Sequence, residues 1–385
     1  MVHFKSRQLV AVLAVCSAFA APSAFADIKI GFNAPLTGFA AFDGNSALVG
    51  AKLAVADANA KGGINGEKLD LVVYDDQASA KEATPVATKL VEKDQVVGAV
   101  SGSYSASTRA AAGIFQSSSV PYVVAYAIDP SVTRTGDYMF RVSAMGDVQG
   151  RGGAKLVSNL GKKRVVLLTL KNDFGQTLAA GFKDAAPKFK LDIVNEYEYG
   201  IKDRQFGPLI AKIKSDNPEV IYASGYYFNA GPLVSQLRAA GVTVPVIGQE
   251  GYDSEKFIEI AGPASEGTLI TTSLDRDSDS PVTQGFLKEF RQSAGYGADM
   301  VGAAAYSATA VLIDGLRKTN GKGGAALRDA IAAGTYEMPI GKLSFNDLHE
   351  VNKDVQVQVV KDKAWHRHSI IHDPVLLAAP TKASN

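Results

Sequence analysis

The sequence predicts an α/β protein built as two doubly wound lobes, each with a parallel sheet. Short runs rich in Val, Ile and Leu alternate with longer helical patterns along the whole chain after residue 26, and this alternation is typical of parallel sheets. Runs such as Arg164–Leu170 are apolar almost throughout, as in strands that are buried on both faces. About ten strand–helix units are too many for one domain of ordinary size, which favours two lobes.

The first half of the chain gives the first series of elements. The first expected helix ends at Lys61-Gly62-Gly63, because glycine readily adopts the left-handed conformation that closes a helix. The expected strands are 28–32, 69–74, 96–100 and 122–124, and the expected helices are 46–60, 81–92 and 107–117.

The same alternation then repeats, with boundaries expected near 141–147 and 273–280. The repeat predicts helices at 147–160, 178–189, 206–215, 232–240, 254–261, 281–293 and 303–319. It predicts strands at 164–170, 192–197, 220–223, 244–247, 267–272, 342–345 and 355–360.

The N-terminus has the pattern of a secretory signal peptide. Lys5 and Arg7 precede an apolar stretch at 9–21, and Ala24-Phe25-Ala26 matches a signal-peptidase site. We expect residues 1–26 to be removed by cleavage after Ala26 and the protein to be exported to the periplasm. Cleavage also removes Cys16, the only cysteine, so we expect neither a disulfide nor a cysteine-ligated metal.

Composition argues against nucleic-acid binding and catalysis. Lys+Arg 40 against Asp+Glu 39 gives a net charge of +1, whereas phosphate recognition needs a surplus of basic residues. The sequence contains neither a nucleotide-binding glycine motif nor a zinc-protease motif. After residue 26, histidines occur only at His349, His366, His368 and His372. None follows an expected cleft strand, so a serine hydrolase would have no base. We expect no enzyme activity, cofactor or metal, and we interpret His366, His368 and His372 as solvated residues.

Residues that follow the expected strands indicate a small-molecule site, because ligands of open α/β sheets bind at the carboxyl ends of strands. The serine-rich segment 101–108 opens a helix, and free N–H groups there suit a carboxylate. Glu250 follows a strand of the other lobe and suits an ammonium group. Aromatic residues such as Tyr226 would enclose an apolar body. The set predicts a zwitterion with an apolar side chain, although serine-rich helix starts often serve only as caps.

Several ordered motifs resemble one family over essentially the whole chain after residue 26. The most specific are Ala58–Gly66 and Tyr74-Asp75-Asp76, joined by Pro35–Gly38, Phe140-Arg141-Val142 and Leu237–Gly241. They resemble the leucine/isoleucine/valine-binding type of periplasmic substrate-binding protein of ABC importers.

The resemblance implies two lobes joined by a three-stranded hinge, as in type I periplasmic binding proteins. It implies an N-terminal lobe of residues 27–146 plus 276–354 and a C-terminal lobe of residues 147–275 plus 355–385. It also implies a monomer that hands its ligand to an inner-membrane permease.

The resemblance implies a ligand site with defined roles. Ser105, with Ser107 or Thr108, would hold the α-carboxylate, and Glu250 would hold the α-ammonium group. The full implied set is Phe42, Asp43, Tyr104, Ser105, Ser107, Thr108, Tyr126, Ile128, Phe174, Tyr226 and Glu250.

This chain departs from the family pattern at three of these places. Ile128 stands where a threonine is usual, Phe174 where a tyrosine is common, and Phe42-Asp43 where a tyrosine often occurs. We expect a branched-chain or other hydrophobic or aromatic amino acid. The alternative is an aromatic carboxylate or amide, bound either for uptake or for sensing.

Overall fold

The computed structural model describes Met1 and residues 27–382. The expected signal peptide therefore lies outside the described residues, apart from Met1. Within 27–382, no helix combines the length and the apolar character that a membrane crossing requires.

The strands form two large sheets, as the sequence predicts. The first has the order β2-β1-β3-β4-β5 and is parallel throughout. Its strands are β1 (Ile28–Ala34), β2 (Leu69–Asp75), β3 (Ala99–Ser101), β4 (Tyr122–Val124) and β5 (Met139–Arg141). The second has the order β14-β13-β10-β9-β8-β6-β7. Its strands are β6 (Arg164–Leu170), β7 (Asp192–Tyr199), β8 (Val220–Ala223), β9 (Val246–Gln249), β10 (Leu269–Thr272), β13 (Val355–Lys361) and β14 (Ala364–Ile371), while β11 (Thr335–Met338) and β12 (Gly341–Ser344) pair separately.

The expectation of purely parallel sheets is wrong for the end of the second sheet. β13 runs antiparallel to β10, and β14 runs antiparallel to β13. For the β13–β14 pair the reason is local, since only two residues connect these strands. Asp362 and Lys363 both have positive φ, 53° and 63°, which suits a tight hairpin, and a parallel pair would need a long crossover.

Helices cover both sheets. The first lobe consists of the first sheet and six helices: α1 (Ala41–Ala60), α2 (Ala80–Thr88), α3 (Ser105–Ser117), α9 (Pro281–Ala294), α10 (Met300–Lys318) and α11 (Gly324–Ala332). The second lobe consists of the second sheet and five helices: α4 (Gly146–Asn159), α5 (Asp173–Ala185), α6 (Gly207–Asp216), α7 (Tyr227–Ala239) and α8 (Glu255–Ala261).

α1 and α10 pack against each other although about 250 residues separate them in sequence. A β-carbon on Gly50 would lie 2.1 Å from the carbonyl oxygen of Gly302, so glycine is required where the two backbones meet. α1 also begins at Ala41, five residues before the expected start at Ser46. A single 3-10 turn at Gly38–Ala40 leads directly into it, and Phe42 and Asp43 therefore lie in the first helical turn rather than in a loop.

The chain passes between the two sheets three times, at 142–145, 273–280 and 345–354. A buried ion pair joins Arg141, the residue directly before the first crossing, to Glu350 in the third crossing. The Arg141 Nε atom lies 3.1 Å from the Glu350 carboxylate, and the two side chains are 0% and 1% exposed. Arg141 also donates to the carbonyl oxygens of Ala127 and Asp129 at 2.5 and 2.7 Å, and Thr133 donates to Glu350.

We predict that Glu350→Ala lowers the free energy of unfolding by about 3–5 kcal/mol, because it leaves the Arg141 charge buried without its partner. Urea denaturation measures the change. The control is Glu196→Ala, which removes an exposed pair with Lys183 at 3.0 Å and should cost about 1 kcal/mol or less. Equal losses in the two variants would contradict the structural importance of the pair.

Candidate functional site

A small cavity lies between the two lobes, and its volume in this closed structure is about 10 Å³. Parallel strands end at one edge of their sheet, and residues that follow β3 and β4 in the first lobe meet residues that follow β6, β8 and β9 in the second. The lining residues are Asp43, Tyr104, Ser105, Tyr126, Met300 and Val301 from the first lobe and Phe174, Tyr226, Glu250 and Gly251 from the second.

Most of the residues expected at the site line this cavity, and four do not. Phe42 packs instead against the rings of Tyr227 and Tyr296, with centroid distances of 5.7 and 4.9 Å. Thr108 and Ser101 form a hydrogen bond of 2.7 Å between their hydroxyl groups near the start of α3. Ser107 and Ile128 are buried nearby without lining the cavity.

The N-terminus of α3 provides a site for an anion. Ser105 is the first residue of this 13-residue helix and is 4% exposed. The first turn carries no acidic residue, and the N-cap residue Tyr104 makes no side-chain capping bond. The first N–H groups of a helix have no intrahelical acceptor, and they combine with the positive end of the helix dipole. This end of the cavity can therefore hold a carboxylate.

Glu250 provides the opposite charge from the second lobe. It begins a short 3-10 turn directly after β9 and is 3% exposed. Its Oε2 atom has no hydrogen-bond partner within the described chain. Burial raises the pKa of Glu250 to about 8, an effect that the nearby Gln149 amide only partly opposes. A buried carboxylate without a counter-charge is stabilised most by a ligand that brings a positive charge.

A second acid, Asp43, lines the cavity from the first lobe. It is 4% exposed and accepts a hydrogen bond of 2.6 Å from the Tyr104 hydroxyl. Burial raises the pKa of Asp43 to about 8, and the hydrogen bond from Tyr104 opposes that rise.

Aromatic rings form the remaining walls and meet across the cleft. The Tyr104 ring of the first lobe stacks on the Tyr226 ring of the second, with centroids 4.3 Å apart and an angle of 12°. Phe174 packs against Tyr226 at 4.8 Å. Tyr126 donates its hydroxyl to the Gly102 carbonyl, so its ring is fixed in place. These rings make the walls of the cavity largely apolar.

Contacts at the rim of the cavity also join the two lobes. Arg109 of α3 forms an ion pair of 2.8 Å with Asp173 of α5. Phe39 and Phe228 meet edge to face with centroids 5.4 Å apart. The described conformation is therefore a closed cleft.

Sequence reasoning missed Gly251, Met300 and Val301. The only sequence feature that points to Gly251 is its position next to Glu250. Glycine is required there because a β-carbon would lie 2.1 Å from the Gly225 carbonyl oxygen. Asp299 caps α10 by accepting from the Gly302 N–H at 2.7 Å. Recognising Asp299 as the cap would have placed the helix start at Met300 rather than at residue 303.

Residues 27–382 contain no group of three or more histidine, cysteine, aspartate or glutamate side chains that could hold a metal ion. His366 and His368 lie on β14 and His372 directly follows it. The His372 imidazole lies 2.7 Å from Asp354.

Comparison with known proteins identifies the class to which this two-lobed structure belongs. A family model described as periplasmic binding protein matches residues 27–364. The chain belongs to the periplasmic binding protein family. Proteins of this family bind solutes for ABC transporters and are not enzymes, in agreement with the sequence analysis.

Individual relatives of this periplasmic binding protein have names that refer to amino acids. A leucine-, isoleucine-, valine-, threonine- and alanine-binding protein of Pseudomonas aeruginosa is 30% identical over 363 residues, covering 94% of this chain and 95% of the relative. A Leu/Ile/Val-binding protein of Citrobacter freundii is 32% identical over 271 residues, covering 69% and 74%. A branched-chain amino acid transporter substrate-binding protein of Streptococcus pneumoniae, solved with isoleucine, has a TM-score of 0.83 at 26% identity, covering 90% and 99%. The type I fold expected from the sequence is thereby confirmed.

We predict that the unliganded protein loses stability between pH 5 and 7 and that Glu250→Gln reduces this loss. The pKa of Glu250 is about 8 in the folded protein, against 4.5 for the ordinary group. In this window the folded state holds a proton that the unfolded state has released, so the free energy of unfolding falls as pH rises. One such group contributes up to about 1.4 kcal/mol per pH unit.

Urea denaturation at several pH values measures this slope for the wild type and for Glu250→Gln. Glu196→Gln, which changes an exposed side chain, serves as the control and should keep the wild-type slope. A Glu250→Gln slope equal to that of the wild type would contradict a protonated Glu250.

Proposed function

We propose that this periplasmic binding protein captures an α-amino acid between its lobes and delivers it to an inner-membrane ABC permease. The observation that carries the proposal is the placement of two complementary groups on opposite lobes. The N-terminus of α3 faces the cavity from the first lobe, and the buried carboxylate of Glu250 faces it from the second. A zwitterion has one charge for each.

Binding follows from this arrangement in two steps. The α-carboxylate of the ligand accepts hydrogen bonds from the first N–H groups of α3 and from the Ser105 hydroxyl. Closure then brings Glu250 to the α-ammonium group and places Phe174 and Tyr226 over the side chain. The ligand stabilises the closed state because only that state offers both sets of contacts.

The relatives support an amino acid as the ligand. The Pseudomonas aeruginosa relative covers nearly the whole chain and is named for five amino acids, and the Streptococcus pneumoniae protein was solved with isoleucine. Because Ile128 is an apolar residue buried outside the cavity lining, the α-carboxylate would depend on Ser105 and on backbone N–H groups. Thr108 would stabilise the start of α3 through its hydrogen bonds with the Ser101 hydroxyl and the Ser103 carbonyl oxygen.

The remaining parts of the proposal concern location and assembly. Residues 1–26 would direct export to the periplasm and be removed, and the receptor would act as a monomer. The lobes would comprise 27–146 plus 276–354 and 147–275 plus 355–385. Sheet membership and the packing of α1 against α10 support this division.

A second candidate ligand is an aromatic carboxylate, for uptake or sensing. The four rings of Tyr104, Tyr126, Phe174 and Tyr226 in the lining favour it. The charge balance opposes it, because both charged side chains in the lining are acidic. An anionic ligand without an amino group would leave Glu250 buried and unpaired.

We predict that α-amino acids, and not benzoate or phenylacetate, raise the melting temperature of the protein. The protein is first unfolded and refolded to remove carried-over ligand. A ligand at 100 times its Kd should add about 2.7 kcal/mol to the free energy of unfolding, which a thermal-shift assay detects. A shift with the acids alone would overturn the amino-acid proposal.

We also predict that Glu250→Ala weakens amino-acid binding by about 100-fold or more in titration calorimetry, because it leaves the ligand ammonium group buried without a counter-charge. Glu259→Ala alters an exposed acid of α8 whose ion pair with Lys256 stays within that helix, and this variant should bind as the wild type does. Unchanged affinity in Glu250→Ala would show that the ligand amino group binds elsewhere.

A further inference from the structure

We propose that Asp43 makes this site select amino acids whose apolar side chain ends in a hydrogen-bond donor, either an amine or a hydroxyl. The inference rests on the proposed function, since it assumes that α3 and Glu250 hold the α-carboxylate and α-ammonium groups. It adds a third polar contact, to the side chain of the ligand.

The position of Asp43 points to the ligand rather than to the helix. An acid in the first turn of a helix often accepts from the free N–H groups there. Asp43 lies in the first turn of α1, yet the hydrogen bond described for its side chain comes from the Tyr104 hydroxyl, at 2.6 Å to Oδ2. Tyr104 itself lines the cavity. The tyrosine therefore fixes the carboxylate at the cavity wall and leaves Oδ1 for another donor.

Two neighbouring buried acids differ from Asp43 because the protein itself provides them with several partners. Asp299 accepts from the Ser46 hydroxyl at 2.5 Å and from the Gly302 N–H at 2.7 Å. Asp253 accepts from the Thr272 hydroxyl at 2.6 Å and forms an ion pair with Arg276. Neither lines the cavity, whereas Asp43 does.

The cavity has no positive side chain of its own to satisfy Asp43. Its lining contains two carboxylates, Asp43 and Glu250, and neither lysine nor arginine. A buried carboxylate is costly unless it is paired or hydrogen-bonded, and burial raises the pKa of Asp43 to about 8. Once the α-ammonium group has satisfied Glu250, a donor at the end of the side chain satisfies Asp43.

The aromatic walls fit the rest of such a side chain. Tyr104 and Tyr226 stack face to face across the cleft, and Tyr104 also bonds to Asp43. A ligand that separates this stack would place its methylene chain or aromatic ring between the two faces, with its end beside the Tyr104 hydroxyl and the Asp43 carboxylate. The faces can also contact a cation directly.

The test compares two matched ligand pairs on the full chain, purified and freed of bound ligand. Lysine differs from norleucine chiefly by the terminal amine, and tyrosine differs from phenylalanine by the hydroxyl. Titration calorimetry measures all four affinities in the wild type, in Asp43→Asn and in Asp70→Asn. Asp70 is an exposed acid on β2 and is the matched control.

We expect the donor-bearing member of at least one pair to bind the wild type about 10-fold or more tightly than its partner, as one hydrogen bond to a charged group provides. The preference should fall to about 3-fold or less in Asp43→Asn and persist in Asp70→Asn. Asp43→Asn keeps the size of the side chain, and its melting temperature without ligand confirms that it folds.

Other outcomes separate the failure of this inference from the failure of the proposed function. If amino acids bind but neither pair shows a preference, or if the preference survives in Asp43→Asn, the role of Asp43 is wrong and the amino-acid receptor stands. If only benzoate or phenylacetate binds, or if no amino acid binds, both are wrong.

Discussion

Two parallel sheets can share one cavity only if the edges at which their strands end are held face to face. In this protein the three crossings impose that constraint, and the buried pair of Arg141 and Glu350 ties the start of the first crossing to the third. Arg141 ends β5 and also holds the carbonyl groups of the loop after β4. Tyr126 lies in that loop, directly before Ala127, and lines the cavity. The same guanidinium group therefore supports both the hinge and one wall of the site.

The electrostatics of the cleft show that binding and stability oppose one another. Burial raises the pKa of Asp43 and of Glu250 to about 8, so the empty closed cleft favours their protonated forms. An amphoteric ligand reverses this preference, because its donors stabilise the ionised carboxylates. The empty protein thus stores an unfavourable desolvation free energy that a matching ligand removes, and sites of this kind are often less stable than the rest of their fold.

The architecture could be predicted from the sequence because parallel strands that are buried on both faces leave continuous apolar runs, as in Arg164–Leu170. The strand-end rule then led to Ser105, Phe174, Tyr226 and Glu250, all of which line the cavity. Long-range packing could not be predicted in the same way. Nothing local shows that Met300 and Val301 return to the first lobe, since that depends on the contact between α1 and α10 at Gly50.

Local patterns also failed where tertiary contacts changed the start or direction of an element. Helix α1 was expected to begin at Ser46, but it extends back to Ala41 and turns Asp43 towards Tyr104. The antiparallel strands β13 and β14 likewise follow from a two-residue turn at Asp362 and Lys363.

The packing of α10 against α1 has a consequence for how the chain acquires its structure. Residues 28–141 supply every strand of the first sheet, yet the helix that covers α1 lies at 300–318. A chain emerging from the ribosome cannot complete this hydrophobic core until its last quarter has been synthesised. The second sheet waits longer still, because β14 ends at Ile371. Neither lobe can therefore complete its fold while the first three quarters of the chain are being synthesised.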